Sequence, residues 1–288
     1  MNGILIVDKP AGWTSQDVAA KLRGALHEKR VGHGGTLDPM ATGVLPVFVG
    51  RATRAVEFFE SAEKEYIAAL RLGIVTDTQD TEGTVLSQSD ATVTREQLEA
   101  VLPRFTGVQQ QTPPMYSAVK IGGKKLYELA RQGKEIERAP RTIEIKALTL
   151  LGEDGGDFIL RVRCSKGTYI RTLCHDIGRA LGCGGCMSRL RRTAAGCFTE
   201  AQSIPLDELL TADDPASLLL PTDSLFAALP ALTLEQHQEK LCRNGNVIPL
   251  RTELRGLCRV YAESGEFLML GRLERDELRT VKSFFEVN

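Results

Sequence analysis

Strand-like and helix-like segments follow one another in this 288-residue chain without strict alternation. Some apolar runs have the length of strands, whereas other segments repeat apolar residues at helical spacing behind a capping residue. A doubly wound parallel sheet needs strict alternation, so this order favours an α+β domain with a mixed, largely antiparallel central sheet. We predict strands at residues 3–9, 44–49, 66–72, 143–151 and 158–164, and helices that begin behind Thr14, behind Thr94 and at Thr168.

The pattern of apolar residues and glycines along the chain changes near Pro230. A helix is predicted from Thr233 to Cys242, and short apolar runs punctuated by glycines follow it. This pattern is typical of a small β-rich domain of about 60 residues, which is near the lower size limit for independent stability. We therefore predict two domains, at residues 1–228 and 229–288.

Composition narrows the class of protein. With 42% hydrophobic and 25% charged residues the chain resembles ordinary globular proteins, and no apolar run approaches the roughly 20 residues of a membrane span. The first residues lack the pattern of a secretory signal, and seven scattered cysteines are not the framework of a small disulfide-rich domain. We expect a cytoplasmic protein with reduced thiols and no membrane contact.

Charge is distributed unevenly along the chain. The formal net charge is −1, yet residues 120–192 contain 16 Lys/Arg against 8 Asp/Glu, while residues 205–288 contain 9 against 14. A basic segment of this kind suits a phosphate backbone, because each neutralised phosphate releases counterions. It is equally compatible with solvated faces that happen to be basic.

Several common site motifs are absent or weak. Neither nucleotide-phosphate motif nor a serine nucleophile elbow occurs, and the spacing of Asp77 and Asp80 fails the calcium-loop pattern and indicates a turn. Cys183-x-x-Cys186 has a metal-like spacing but no second pair. We predict no metal site and no cofactor.

The glycine-rich segment Gly32 to Pro46 carries the chemistry-bearing residues. It contains His33, several glycines and a single carboxylate, Asp38. On these residues alone, Asp38 is either a helix cap for the segment after Pro39 or a reactive carboxylate in a loop that another molecule approaches closely. The pattern does not separate the two interpretations.

Resemblance to a known family favours the second. The run Gly32-His33-Gly34-Gly35-Thr36-Leu37-Asp38-Pro39-x-Ala41-Thr42-Gly43-Val44-Leu45-Pro46 closely resembles the signature of the bacterial tRNA pseudouridine-55 synthases. Four further stretches resemble that family in the same order over roughly the first 200 residues: Asp8-Lys9-Pro10; Lys64-x-Tyr66 leading to Thr76-Asp77-Thr78-x-Asp80; Gln111-Thr112-Pro113-Pro114-x-Tyr116-Ser117-Ala118-x-Lys120; and Gly167-Thr168-Tyr169-Ile170-Arg171.

The resemblance implies a pseudouridine synthase fold and an isomerisation of the T-loop uridine of tRNA. The C1′–N1 bond breaks, the base turns over, and a bond from C1′ to C5 forms, so no electron is transferred and no cofactor is needed. By the same resemblance Asp38 is the essential catalytic residue, either as a nucleophile at C1′ or as a base at C2′. Arg171 matches the family arginine, and is expected to hold Asp38 in place and favour its charged form.

The resemblance also supplies residues for binding the target uridine, which must leave the base stack to react. Tyr66 matches a tyrosine that stacks on the flipped base and is a candidate for removing the C5 proton. His33 matches the histidine that fills the vacated space. Tyr169 and Leu190 match positions that contact the uridine.

Two further regions follow from the same resemblance. The basic segment of about 111–140, with Gly122-Gly123 at a predicted hairpin, resembles an insertion that closes over RNA, and we predict that it is poorly ordered without RNA. Residues 229–288 resemble, more loosely, a PUA-like module, although their acidic charge argues against strong phosphate binding. The expected partner is the tRNA T-arm, bound by a monomer without a protein partner.

Two other classes of function compete with this one. A non-catalytic RNA-binding protein on the same scaffold would have no need of Asp38. A glycoside or nucleoside hydrolase would need a second carboxylate, and the sequence indicates none with a clear role.

Overall fold

The computed structural model describes residues 1–286. Its first half contains β1 (Gly3–Lys9), α1 (Ser15–Ala25), β2 (Val31–His33), β3 (Thr42–Val49), α2 (Val56–Phe59), β4 (Lys64–Leu72), β5 (Ile74–Thr76), β6 (Val85–Gln88), α3 (Arg95–Val101), β7 (Gly107–Gln111), β8 (Lys120–Ile121), β9 (Lys124–Lys125) and α4 (Leu126–Ala130). The second half contains β10 (Arg141–Asp154), β11 (Asp157–Cys164), α5 (Ile170–Ala180), β12 (Gly185–Ala195), β13 (Phe198–Thr199), β14 (Ile204–Pro205), α6 (Leu206–Thr211), β15 (Ala231–Leu234), α7 (Gln236–Arg243), β16 (Ile248–Pro249), β17 (Gly256–Ala262), β18 (Phe267–Glu274) and β19 (Glu277–Ser283). Short 3₁₀ helices lie at Gly50–Ala55, Leu102–Phe105, Glu200–Gln202, Pro215–Leu218 and Thr222–Phe226.

A large mixed sheet organises the first 228 residues. Its main path runs β14-β1-β3-β12-β4-β11-β10-β7, with β2 beside β3 and β13 beside β12. Among the strand pairs of this sheet in residues 1–286, only β1–β14 and β3–β12 are parallel. The predicted α+β class with a mixed, largely antiparallel central sheet is therefore confirmed.

Local sequence explains where the first helix begins. The side chain of Thr14 accepts from the Asp17 amide, and the Asp17 carboxylate accepts from the Thr14 amide, so the pair forms a capping box at α1. Val18 and Leu22 of α1 are fully buried in the main core against the sheet. The apolar face of α1 thus fixes the connection that leads into the glycine-rich loop.

Strand β12 lies at the centre of the sheet, and sequence analysis missed it. Its sequence contains Arg189, Arg191 and Arg192, and a strand with this charge density reads as a surface segment. In the sheet β12 pairs with β4 on one side and β3 on the other, and the register sets Arg192 opposite both Tyr66 and Gly43. Gly43 has a φ of +98°, and a Cβ there would lie 2.2 Å from the Arg192 carbonyl oxygen, so only glycine fits this crossing.

The C-terminal part forms a separate five-stranded sheet in the order β15-β17-β18-β19-β16. Part of the predicted Thr233–Cys242 helix is wrong, because Thr233 and Leu234 pair in parallel with β17 and the helix begins only at Gln236. Leu234 is fully buried in the apolar core of the C-terminal sheet, and this burial favours a strand at its position. The domain boundary after residue 228 stays a prediction.

Aromatic side chains join the two sheets. Phe226 lies 5.6 Å from Phe58, measured between ring centroids, and 6.0 Å from Phe284. Phe284 in turn stacks on Phe267 at 5.1 Å. We call these four residues the aromatic seam; together with Leu270 they belong to one apolar cluster that continues under β1 and β3.

Within residues 1–286 no helix is long and apolar enough to cross a membrane.

Candidate active site

The loop that carries Asp38 is held to the body of the protein by backbone contacts. The Ser15 hydroxyl accepts from the Leu37 amide at 2.8 Å, and the Gly12 amide donates to the Pro39 carbonyl at 2.9 Å. After Pro39 the chain makes a turn and enters β3, so no helix follows for Asp38 to cap. The helix-cap interpretation is therefore wrong, and the Asp38 carboxylate is available for another role.

Arg171 is the partner of Asp38. It lies in the first turn of α5 and is 5% exposed, and its Nε is 2.9 Å from Asp38 Oδ2. This contact is an ion pair rather than an aligned hydrogen bond, because no acceptor lies along the Nε–H direction among the described residues. The Asp38 side chain is 37% exposed, so part of the carboxylate remains open.

The rest of the Arg171 guanidinium is bound to two other loops. Nη1 donates to the Thr78 carbonyl at 2.9 Å and is 3.4 Å from Asp80 Oδ2. Nη2 donates to the Tyr116 carbonyl at 2.7 Å. Asp77 lies in a turn, as predicted, whereas Asp80 forms an isolated β-bridge with Met187 just after it. The ion pair of Asp80 with Arg171 was missed, since spacing alone does not show what a residue faces.

One cavity of about 430 Å³ brings together all six residues predicted for the site. The floor and walls include His33, Asp38, Tyr66, Tyr169, Arg171 and Leu190. They come from four separate parts of the chain, which the sheet and α5 place around the Asp38 loop.

Two models of known protein families match this chain. A family model described as "TruB family pseudouridylate synthase (N terminal domain)" matches residues 23–170, and one described as "tRNA pseudouridylate synthase B C-terminal domain" matches residues 171–227. The chain belongs to the TruB family of pseudouridylate synthases. The resemblance drawn from the sequence motifs is thereby confirmed.

Individual relatives of this TruB family member cover most of its length. A tRNA pseudouridine synthase B of Dechloromonas aromatica is 46% identical over 91% of this chain and 89% of its own. The one from Alkaliphilus oremlandii is 47% identical over 86% and 83%. Among solved structures, a chain in the crystal structure of a Cbf5-Nop10-Gar1 complex matches with a TM-score of 0.74 and 29% identity, over 98% of this chain and 85% of that one. That match includes the C-terminal sheet and supports its PUA-like assignment.

Arg192 is a residue of the TruB-family cavity that sequence analysis missed. It lines the cavity wall, is only 1% exposed, and donates from Nε to the Val44 carbonyl at 2.7 Å and from Nη2 to the Gly35 carbonyl at 3.2 Å. An arginine is normally taken as a surface residue, and the one available signal was its place two residues after Leu190. Its buried charge stabilises the loop that precedes Asp38.

Burial and the charge of Arg192 govern the titration of two predicted residues. Burial raises the pKa of Tyr66, and the Arg192 guanidinium opposes that shift only in part, so the phenol keeps its proton at neutral pH. Burial, and next Arg192, lower the pKa of His33, so its imidazole is neutral there. His33 Nδ1 is buried without a hydrogen-bond partner among residues 1–286.

Two buried lysines near the cavity bond to backbone carbonyls of different loops. Lys9 Nζ donates to the carbonyls of Trp13 at 2.7 Å and Pro39 at 3.2 Å, which ties β1 to the residue after Asp38. Burial lowers the pKa of Lys9 to about 8, against an opposing effect of the Asp38 charge. Lys64 Nζ donates to the Ala62 carbonyl at 2.6 Å, and burial, with the Arg192 charge second, lowers its pKa to about 8.

The start of α5 is fixed from the root of the insertion. Gln111 is buried, and its side-chain amide bonds both backbone groups of Tyr169, accepting from the N–H at 2.8 Å and donating to the carbonyl at 3.0 Å. Tyr169 is therefore held extended, so the helix starts at Ile170, two residues later than predicted. Gly122-Gly123 joins β8 to β9 with positive φ at both residues, which confirms the predicted hairpin.

Metal ions in proteins are held by sets of His, Cys, Asp or Glu side chains. Within the described residues no group of three or more His, Cys, Asp or Glu side chains could hold a metal ion. Cys183 and Cys186 are both buried free thiols, and burial raises the pKa of Cys186 to about 11. Neither cysteine lines the cavity.

Proposed function

We propose that this protein isomerises the uridine at position 55, in the T-loop of tRNA, to pseudouridine. The observation that carries the proposal is the Asp38–Arg171 ion pair in the wall of the cavity of a TruB family member. We extend the proposal to a monomer that acts without a protein partner, and to a cytoplasmic enzyme that needs no metal and no cofactor.

The size of the cavity supports base flipping. A volume of about 430 Å³ lies toward the lower end of the range for small-ligand sites, about 300–1,000 Å³, and suits a single nucleotide rather than a stacked helix. The target uridine must therefore leave the stack before Asp38 can reach its sugar. His33, the last residue of β2, is proposed to occupy the space that the base leaves.

Asp38 is proposed to start the reaction. Its open carboxylate face can attack C1′ or take a proton from C2′, while Arg171 holds the other side of the group. The C1′–N1 bond breaks as Asp38 bonds to C1′ or removes the C2′ proton, and the uracil turns over. C5 then bonds to C1′ as the Asp38–C1′ bond breaks or the proton returns to C2′. C5 releases its hydrogen to solvent and N1 gains a proton, so the composition of the RNA is unchanged and its electrons balance without an oxidant or a reductant.

The remaining site residues are proposed to hold the uridine. The raised pKa of Tyr66 favours stacking over proton removal, because a phenol that keeps its proton is a poor base. Tyr169, which directly precedes α5, and Leu190, on β12, supply apolar contacts. The insertion of about 111–140 is proposed to close over the T-arm with its exposed lysines, Lys120, Lys124 and Lys134.

Two alternatives are less well supported. A non-catalytic RNA-binding protein would gain nothing from a half-open carboxylate paired with a buried arginine. A hydrolase would use a second carboxylate, and the structure does place Glu60 on the cavity lining, but as an exposed residue. Membership of an isomerase family decides between these readings in favour of the synthase.

Tritium release from transcripts labelled at uridine C5 tests the proposed reaction and its position. The account predicts release near one equivalent per tRNA, and none from a transcript whose position 55 is cytidine. Absence of release from the unmodified transcript would overturn the synthase activity. Equal release from both transcripts would keep the activity but overturn the assigned uridine.

A further inference from the structure

Ser117 has a buried hydroxyl group in the cavity wall that bonds to nothing else in the described protein. The residue is 5% exposed and lines the same cavity as Asp38 and Arg171. Its Oγ has no hydrogen-bond partner among residues 1–286. Buried hydroxyl groups in native proteins are nearly always paired, and an exception at a binding site calls for a partner from outside the chain.

The backbone around Ser117 is fixed on both sides. The Ser117 amide donates to the Met115 carbonyl at 2.9 Å, and the Ser117 carbonyl accepts from the Tyr127 amide at 3.1 Å. The preceding residue, Tyr116, accepts from Arg171 Nη2 at 2.7 Å. The main chain is thus tied to the guanidinium that also pairs with Asp38.

The chemistry of the hydroxyl matches that of a uridine nucleotide. A serine hydroxyl can donate one hydrogen bond and accept others. The uracil ring offers two carbonyl oxygens and an N3–H, and the ribose offers hydroxyl groups, so either part can pair with it. In the free protein the unpaired group is a cost, which a ligand in the cavity would remove.

We propose that the Ser117 hydroxyl hydrogen-bonds to the extruded uridine, so that the root of the insertion supplies a substrate-contacting residue. This inference rests on the proposed function. It links two events in one structural element, because the segment that closes over RNA also completes the contacts of the reacting nucleotide.

Ser117→Ala tests the contact, with Ser224→Ala as its matched control. Ser224 Oγ is also buried without a partner among the described residues, but it lies in the 3₁₀ helix Thr222–Phe226 and outside the cavity. We expect Ser117→Ala to slow single-turnover tritium release about 3- to 10-fold, the effect of one lost hydrogen bond. Ser224→Ala should leave the rate unchanged.

Stability of the free protein separates a substrate contact from a structural role. Because Oγ has no protein partner, Ser117→Ala should leave the melting temperature of the RNA-free protein unchanged or raise it slightly. A lower melting temperature together with a slower reaction would overturn the proposal, and so would a rate equal to that of Ser224→Ala. If the wild-type protein released no tritium, the proposed function itself would have failed.

Binding to modified T-arm RNAs assigns the atom that Ser117 contacts. If the hydroxyl bonds the ribose 2′-OH, Ser117→Ala will weaken binding of the uridine RNA but not of an RNA with 2′-deoxyuridine at position 55. If it bonds the base, both RNAs will bind more weakly to the variant. An RNA that lacks both the base and the ribose 2′-OH at position 55 should bind the variant and the wild type equally; weaker binding of this RNA to the variant would place the contact outside the base and the 2′-OH of the target nucleotide and contradict the proposal.

Discussion

The cavity and the aromatic seam are built from opposite kinds of side chain. Four cations around the cavity, Lys9, Lys64, Arg171 and Arg192, are buried and donate to backbone carbonyls of nearby loops. The seam between the sheets contains phenylalanine rings at centroid distances of 5.1–6.2 Å.

The two regions are therefore expected to respond differently to the substitution of a side chain. Apolar contacts are non-directional, so a seam can lose a ring and lose stability while its neighbours keep their positions. Buried donors are directional, and removal of one leaves carbonyls and carboxylates without a partner. We therefore expect substitutions at the cavity to change the rate of reaction, and substitutions at the seam to change the free energy of unfolding.

The largest effect on rate among the supporting residues is expected for Arg171→Lys. An ammonium group cannot reproduce four contacts from one planar guanidinium, so Asp38 loses its fixed position. We predict a fall in single-turnover rate of about 100-fold or more, as expected for a broken buried pair. Arg179→Lys, an exposed pair with Asp176 on the same helix, is the control and should stay within about twofold of wild type. A rate and pH profile for Arg171→Lys like those of the control would refute the pairing.

Phe226→Ala should give a large effect of the other kind. Removal of a buried ring that contacts Phe58 and Phe284 is expected to lower the free energy of unfolding by about 3–5 kcal/mol. The rate per folded molecule should change by less than about twofold, because the seam does not line the cavity. Urea unfolding and single-turnover assays below the transition measure the two quantities. A large loss of rate with unchanged stability would break the comparison.

Gln111→Leu should affect both quantities to a smaller degree. The substitution removes two hydrogen bonds to the backbone of Tyr169 and leaves its N–H and carbonyl unpaired, at about 1–3 kcal/mol. We predict a rate about tenfold lower, through displacement of Tyr169 and Arg171. Gln110→Leu is the control, since its side chain donates to Thr142 Oγ at an exposed site. The two variants should differ; equal rates would show that the start of α5 does not depend on the insertion root.

The smallest expected effect is a pH dependence of stability that arises from a lysine in the cavity wall, Lys64. Folding lowers the pKa of Lys64 from 10.5 to about 8, so between these values the unfolded chain binds protons that the folded chain has released. The free energy of unfolding contributed by this lysine therefore rises with pH in that window, by up to about 1.4 kcal/mol per pH unit.

Urea unfolding of Lys64→Met at pH 8 and pH 9 measures this contribution. The variant should show a smaller rise than wild type, while Lys124→Met, which replaces an exposed lysine, should show the wild-type rise. A Lys64→Met protein with the full rise would mean that Lys64 titrates normally in the folded state.

Sequence analysis predicted the apolar architecture and the reactive loop better than the buried charges. Alternation and capping signals located β1, α1 and β4, because local patterns decide those elements. Strand β12 was missed because a segment with three arginines has the composition of an exposed segment. The burial of Arg192 depends on the carbonyls of Gly35 and Val44, which come together only in the folded sheet. The five motifs contain five of the six site residues, and the family resemblance supplied the sixth, Leu190; their catalytic and binding roles stay predictions.

The account depends most directly on the carboxylate of Asp38. Single-turnover tritium release and tRNA affinity should be measured for Asp38→Asn, beside Asp90→Asn at an exposed loop position. The account predicts that Asp38→Asn still binds tRNA but releases no detectable tritium, whereas Asp90→Asn behaves as wild type. Release by Asp38→Asn at a rate near that of wild type would contradict the central role of this residue.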